Sequence, residues 1–299
     1  MILITGATGF IGQNLLKKIG DHDLRILCRH DAEKMRIIYP NAEIVQGDIT
    51  DKSSLIKAAS DVDTIIHLAA MISYKAPKLE LMKVNFEGTK NLLEACKNVK
   101  KFIFSSSVSV MGEIKGIADE NYPCRPENNY GFSKLKAENV IIERCDELGI
   151  QYVILRIAPL YGVGSPIWGK NLRLLEKGFP IPNTKNLTHV VHISDVVQSL
   201  TLALKTKRKG IYIIADKQPI RFTEFAEKIL SMLGKKPKKY PFWLVKLIAS
   251  FSGMGPYFKT LTMNRNYDIS KARKDLGYNP EADLDTELKN MIEWYKKLK

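Results

Sequence analysis

Thr5-Gly6-Ala7-Thr8-Gly9-Phe10-Ile11-Gly12 follows the apolar run Ile2–Thr5 and opens an amphipathic stretch reaching Ile19. Strand, glycine turn and helix in that order begin a βαβ unit whose turn faces a phosphate. Gly6 permits a tight turn, Gly9 lets a backbone approach a pyrophosphate, and Gly12 lets the helix pack close to the strand. The helix's unpaired N–H groups and the positive end of its dipole suit an anion. Gly6, Thr8, Gly9, Phe10, Ile11 and Gly12 are therefore the candidate cradle of a dinucleotide. The spacing is GxxGxxG rather than GxGxxG, and the GK[ST] of a triphosphatase loop is absent.

Further apolar runs lie at Leu24–Cys28, Ala42–Gln46, Thr64–Leu68, Lys101–Ser105 and Tyr152–Ile157. They alternate with helical stretches such as Gly9–Ile19, Leu79–Lys97 and Tyr130–Glu147. Runs without polar alternation belong to strands covered on both faces, so the pattern predicts an α/β fold with a doubly wound parallel sheet of Rossmann type. In Tyr130–Glu147 the steps Lys134, Glu138 and Ile141–Ile142 separate a polar from an apolar stripe. After about residue 160 the rhythm changes. Gly162–Gly169 and Phe179–Thr188 read as loops, Gly210–Ile214 as a strand rejoining the sheet, and Thr223–Leu233 and Asp283–Lys297 as helices of a smaller mixed C-terminal lobe. The expected division is a dinucleotide-binding unit over 1–160, with 190–215 threaded back into it, and a substrate lobe over 161–299.

The 299 residues are 45% hydrophobic and 26% charged, which excludes a disordered chain. No apolar run has the roughly 18 residues of a membrane span, and the N-terminus lacks the pattern of a secretory leader. Cys28, Cys96, Cys124 and Cys145 have no metal-ligand spacing, so reduced thiols, a cytoplasmic location and no metal site are expected. The net charge of +14 comes from lysines and arginines spread along the chain, with knots at Lys205–Lys209 and Lys235–Lys239. Neither knot is interleaved with aromatics, so a solvated surface is expected rather than nucleic-acid binding. Phe242–Phe251 reads as a lobe helix packed over the substrate cavity. The rival reading is an interfacial helix on anionic lipid.

The second strand ends in Cys28-Arg29-His30, with no carboxylate to hold the ribose hydroxyls of NAD. The planar fork of Arg29 suits a 2′-phosphate, which favours NADP(H) over NAD(H). Asp48, followed by Ile49, is placed to accept from an adenine amino group. His67-Leu68-Ala69-Ala70 ends the fourth strand with small residues suited to a cofactor lying against the backbone, His67 itself being structural.

Tyr130 and Lys134 stand one turn apart on one helix face. The Tyr-x-x-x-Lys spacing occurs four times, beginning at Tyr74, Tyr130, Tyr267 and Tyr295. Position singles out Tyr130, one short loop after Ser105-Ser106-Ser107 at a strand's carboxyl end, where α/β sheets bind ligands. Tyr267 falls in a polar segment and Tyr295 at a frayed end, which leaves Tyr74 as the competitor. A phenol with pKa about 10 is a poor base at neutral pH. An ammonium about 4 Å away, at an effective dielectric near 20, is worth about 4 kcal/mol, or roughly three pKa units. Lys134 would also hold the nicotinamide ribose, and Ser107 would donate to the substrate oxygen.

On these residues the chain resembles the extended short-chain dehydrogenase/reductases, also called the NAD-dependent epimerase/dehydratase family. The shared motifs run from TGATGFIG at 5–12 through Gly47-Asp48-Ile49, HLAA at 67–70, Val84-Asn85, Gly88-Thr89 and Phe104–Ser107. They continue with Tyr130–Lys134, Leu155-Arg156, Leu160-Tyr161-Gly162, Val191–Asp195 and Ser270–Pro280 with Trp294-Tyr295. The resemblance implies Ser107, Tyr130 and Lys134 as catalytic residues, with Ser105 and Pro159 beside the cofactor. It also implies a homodimer through the helices at Leu79–Lys97 and Asn129–Glu147. Val108 and Ser109 stand where the family's dehydratases carry acids, so dehydration is not expected. Arg29, Pro159 and Pro241–Phe251 resemble the dihydroflavonol reductase and 3β-hydroxysteroid dehydrogenase branch. The expected activity is hydride transfer between nicotinamide and a carbonyl or secondary alcohol of a small molecule, the alternative being sugar-nucleotide 4-epimerisation.

Overall fold

The computed structural model describes residues 1–73 and 75–298. Tyr74, and Lys299 at the end of the fourth Tyr-x-x-x-Lys, lie outside the described residues. The first half runs β1 (Ile2–Thr5), α1 (Phe10–Ile19), β2 (Leu24–Cys28), α2 (Ala32–Ile38), β3 (Glu43–Gln46), α3 (Lys52–Ala59), β4 (Thr64–His67), α4 (Lys78–Leu81), a π-helical segment (Met82–Glu87), α5 (Gly88–Ala95), β5 (Lys101–Ser107), α6 (Asn129–Leu148) and β6 (Gln151–Ile157). There follow β7 (Leu160–Tyr161), α7 (Pro166–Glu176), β8 (Ile181–Asn183), β9 (Leu187–Thr188), β10 (Val191–His192), α8 (Ile193–Lys205), β11 (Gly210–Ile214), β12 (Ile220–Arg221), α9 (Phe222–Met232), β13 (Lys239–Pro241), α10 (Phe242–Phe251), α11 (Gly255–Thr262), α12 (Ser270–Leu276) and α13 (Leu284–Lys297).

Seven parallel strands form the central sheet in the order β11-β6-β5-β4-β1-β2-β3. The order reverses between β1 and β4, which opens a crevice at their carboxyl ends. The apolar runs are explained by two cores, one on each face. Ile4, Ile26, Ile66, Ile103 and Leu155 pack with Leu15, Leu16, Val196 and Leu200 of α1 and α8. The alternate residues Leu3, Leu27, Ile65, Phe102, Phe104 and Ile154 pack with Leu55, Leu92, Leu93 and Ile141 of α3, α5 and α6. A third core holds Tyr161, Leu172, Phe225, Ile229, Leu288, Met291 and Tyr295, outside the sheet. No helix of the described residues is long and apolar enough to cross a membrane.

Three sequence expectations are corrected. The stretch Leu79–Lys97 is not one regular helix, because Met82–Glu87 is wound as a π-helix. The loop expected over Gly162–Gly169 gives way at its end to α7, where the Ser165 hydroxyl caps the Trp168 N–H at 3.4 Å and Pro166 takes the first turn. Proline starts a helix there rather than breaking one. Tyr295 is not frayed: it is 3% exposed within α13 and donates to Glu176 Oε2 at 2.9 Å.

Candidate active site

The turn after β1 needs glycine at position 6. Its φ is +72°, and a Cβ there would lie 2.5 Å from the Ala69 nitrogen. The loop after β1 and the end of β4 are therefore in backbone contact, and together they floor the crevice. Gly12 is buried against Ala7. Gly9 begins α1 with no capping side chain, no acid follows in the first turn, and the first internal helical bond runs from Gln13 N–H to Gly9 C=O. The N–H groups of Phe10, Ile11 and Gly12 thus precede that bond, and Thr8 and Gly9 are exposed. An uncapped, acid-free helix start behind an open glycine fits a dinucleotide diphosphate.

Leu68, Ala69 and Ala70 are half-buried along the same floor. At the far side, Arg29 is exposed, with its guanidinium 3.7 Å from Asp48 and its Nε–H directed at His30 Nε2 at 3.0 Å. Burial pushes the Asp48 carboxyl up, but the Thr50 N–H and hydroxyl, each at 2.8 Å, and Arg29 outweigh it and hold the group below its usual range. Ile49 is buried beneath.

His67 is fully buried between Phe102 and Phe104. Thr89 donates its hydroxyl to Asn85 C=O at 2.7 Å, so it accepts from His67 Nε2–H at 2.9 Å. His67 Nδ1 then accepts from Thr5 Oγ1 at 2.6 Å, and Thr5 accepts from the Ala69 N–H. One neutral tautomer satisfies the whole chain. Burial, helped by the Lys134 charge, pushes the imidazole pKa down to about 3.

The second half of the site sits where β5 meets α6. Strand β5 runs two residues further than expected, to Ser107. Ser105 and Ser107 are half-buried at its carboxyl end, and the Ser107 hydroxyl donates to Ser109 Oγ while accepting from Ser109 N–H, both at 3.2 Å. The start of α6 presses on that turn: a Cβ at Gly131 would lie 2.3 Å from Ser109 C=O. Asn128 caps α6 through Gly131 N–H at 2.8 Å. Tyr130 is 7% exposed and Lys134 1%, so phenol and amine share the buried face of the helix. Pro159, after β6, is half-buried and accepts from Val191 N–H at 3.0 Å.

Lys134 Nζ lies 3.8 Å from the centre of the Phe104 ring. Burial pushes its pKa down to about 7, with the Glu138 carboxylate acting in the opposite direction. Burial thus disfavours the charged form of Lys134, and the Glu138 carboxylate favours it. Glu138, at 1% exposure, holds Arg156 through Nη2 at 2.8 Å and Nε at 3.2 Å, and accepts from Ser106 Oγ. Of the rival pairs, Tyr267 lies in the irregular polar segment between α11 and α12, bridged to Ala118. It is buried against His189 with its hydroxyl unpaired among the described residues.

Sequence reasoning assigned no site role to Asn85, Ser133, Glu138 or Arg156. Asn85 exchanges two hydrogen bonds with the Met71 backbone, at 2.7 and 3.0 Å, and donates to Ser133 Oγ at 2.9 Å. Ser133 in turn donates to Tyr130 C=O at 2.8 Å. The segment after β4 is thereby tied to the helix carrying Tyr130, and the π-helical winding presents Asn85 for this role. An asparagine between two apolar residues, Val84-Asn85-Phe86, in a helical stretch was the available signal.

The chain is similar to known proteins over nearly its whole length. The chain is 28% identical to the UDP-glucose 4-epimerase of Vibrio cholerae, over 95% of this chain and 92% of that one. It is 27% identical to the 3 beta-hydroxysteroid dehydrogenase/Delta 5→4-isomerase of Mycobacterium tuberculosis, over 99% and 90%. The UDP-glucuronic acid 4-epimerase of Bacillus cereus, solved in complex with NAD, superposes with a TM-score of 0.80 and 25% identity, over 100% and 97%. The family model "NAD dependent epimerase/dehydratase family" matches residues 2–215. By that match, over more than half of its length, the chain belongs to the NAD dependent epimerase/dehydratase family.

Proposed function

We propose that this chain is an oxidoreductase that moves hydride between a nicotinamide dinucleotide and a carbonyl or secondary alcohol carbon of a small molecule. The observation that carries this reading is the pairing of Tyr130 and Lys134 on the buried face of α6, beside Ser107 at the carboxyl edge of the sheet. The start of α1 would hold the diphosphate, Asp48 and Arg29 the adenosine end, and Leu68–Ala70, Ser105 and Pro159 the nicotinamide half. The dinucleotide, when bound, supplies or accepts the hydride. Tyr130 Oη gives a proton to the substrate oxygen in reduction and takes it back in oxidation. Lys134 in its ammonium form holds the ribose and favours the phenolate. The Ser107 hydroxyl, rotated away from Ser109, donates to the same oxygen and stabilises charge developing there.

NADP(H) is favoured because no carboxylate ends β2 and Arg29 is exposed there. Net reduction or dehydrogenation is favoured over epimerisation, which keeps one NAD and returns the hydride to the same substrate, because Arg29, Pro159 and Pro241–Phe251 resemble the reductase and hydroxysteroid dehydrogenase branch. The relatives that are UDP-sugar epimerases keep that second reading open. Val108 is buried and apolar where a dehydratase would carry an acid. A homodimer through α6 and the helical stretch that includes the π-helical segment fits the half-buried Val84, Phe86 and Phe132, and sedimentation velocity reads it directly. The deciding experiment titrates purified protein with NADPH and NADH, then screens apolar ketones and nucleotide sugars. Turnover consuming added NADPH supports the reading. Tightly retained NAD with sugar interconversion and no net consumption replaces it by epimerisation.

A further inference from the structure

Helix α10 exposes what its sequence would bury. Of Phe242-Trp-Leu-Val-Lys-Leu-Ile-Ala-Ser-Phe251, only Val245 and Ala249 are buried, in a small cluster with Phe258. Trp243 is 67% exposed, Leu247 48% and Phe251 86%. Spaced four residues apart, these three share one stripe, half a turn round from Val245 and Ala249. Ile248 and Phe242 flank the stripe at 40% each.

The surrounding charge says what covers this stripe. From Gly234 to Tyr267 the chain holds Lys235, Lys236, Lys238, Lys239, Lys246, Lys259 and Arg265, and no acidic residue. Lys239 is paired with Glu227 and Lys259 with Glu127, and Arg265 is buried. Among the described residues, Lys235, Lys236, Lys238 and Lys246 are exposed and have no ion pair. A second copy docked symmetrically through this face would set that lysine cluster against itself, on a chain of net charge +14. The stripe offers three large apolar side chains with one indole donor among them, suited to acyl chains rather than to base edges.

We propose that α10, with the basic segment preceding it, docks this protein on the surface of an anionic lipid bilayer. Trp243, Leu247 and Phe251 enter the headgroup–acyl boundary, and Lys235, Lys236 and Lys238 meet the anionic headgroups, while Lys246 lines a cavity with Glu113 and Glu127. Docking leaves the chemistry at Tyr130 unaltered, so it holds or fails independently of the proposed reaction.

The test is flotation of the full chain with vesicles of phosphatidylglycerol and phosphatidylcholine, against phosphatidylcholine alone. The chain is expected to float with the anionic vesicles only, and to be released at high salt. The triple variant Trp243→Ser, Leu247→Ser, Phe251→Ser alters exposed side chains only, and an unchanged thermal transition verifies its fold. It should lose flotation. Replacing Lys235, Lys236 and Lys238 by Ser should weaken vesicle binding about five-fold per lysine. Absence from the vesicle fraction overturns the proposal, as does flotation indifferent to lipid charge or to the triple variant. Sedimentation showing a soluble dimer that the triple variant dissolves also overturns it.

Discussion

Helices α6 and α10 break the ordinary partition of side chains in opposite directions. The first buries a lysine and a glutamate, at 1% exposure each, and the second exposes tryptophan, leucine and phenylalanine. Buried charge and exposed apolar surface are each unfavourable alone, which makes both informative about what the molecule meets. In α6 the cost is offset internally, by Arg156, Ser106 and the Phe104 ring. In α10 nothing within the described chain offsets it. The proposed proton-handling site carries its partners with it, whereas the proposed docking face would meet its partner only at a membrane.

The contrast is tested most severely at Tyr130. Tyr130→Phe should lower kcat by about 10²–10⁴-fold while leaving dinucleotide affinity unchanged, read by steady-state turnover beside fluorescence titration. Retained turnover would remove α6 from the chemistry. Next comes Glu138→Leu, which strands a buried guanidinium and should cost about 3–5 kcal/mol in urea unfolding. The double change Glu138→Leu, Arg156→Met should recover most of it, and failure to do so would show that packing rather than charge is at stake.

A smaller effect follows from the buried histidines. Burial holds His67 at about 3 and His189 at about 4, both below the ordinary imidazole value. The unfolded chain therefore binds more protons between those values and about 6.5, so stability falls as pH drops through that window. At pH 5 the loss relative to neutral pH should approach about 2 kcal/mol per histidine. Asp195, Asp216 and Glu120, raised by burial, act in the opposite sense. Comparing the pH slope of urea midpoints for the parent and His67→Gln isolates the histidine share. Smaller again, Arg29→Ala should weaken NADPH binding about tenfold and leave NADH binding unchanged, which isothermal titration would resolve. Smallest of all, Trp243→Ser should shift stability by no more than about 0.5 kcal/mol, since its side chain packs on little. A large loss there would mean that α10 is core after all.

Much of this was legible from residue order alone. The strands announced themselves because covering on both faces leaves no polar alternation, and Gly6 because only a residue without Cβ passes the Ala69 backbone. Ser107, Tyr130 and Lys134 were proposed from their place after a strand rather than from their spacing, which recurs elsewhere, and the fold brings that strand end against the start of α6. The Glu138–Arg156 pair was not legible, since eighteen residues of chain and a strand crossing bring those groups together. Nor was the tie from Met71 through Asn85 to Ser133, which needs the π-helical winding. Ser165-Pro166 looked like loop punctuation because proline breaks helices everywhere except at their start. For α10 the pattern disclosed an apolar helix but could not say whether protein covered it.

The seventh strand of the sheet arrives late. Its neighbour β6 is complete at Ile157, yet Gly210–Ile214 follows only after four short strands and two helices have been made. At ribosomal speeds of about 5–20 residues per second, that apolar edge waits several seconds for its cover. During this interval the nascent chain offers an open β-template, the kind of surface that chaperones clamp and aggregates seed upon. Any truncation ending before residue 215 would make that transient hazard permanent.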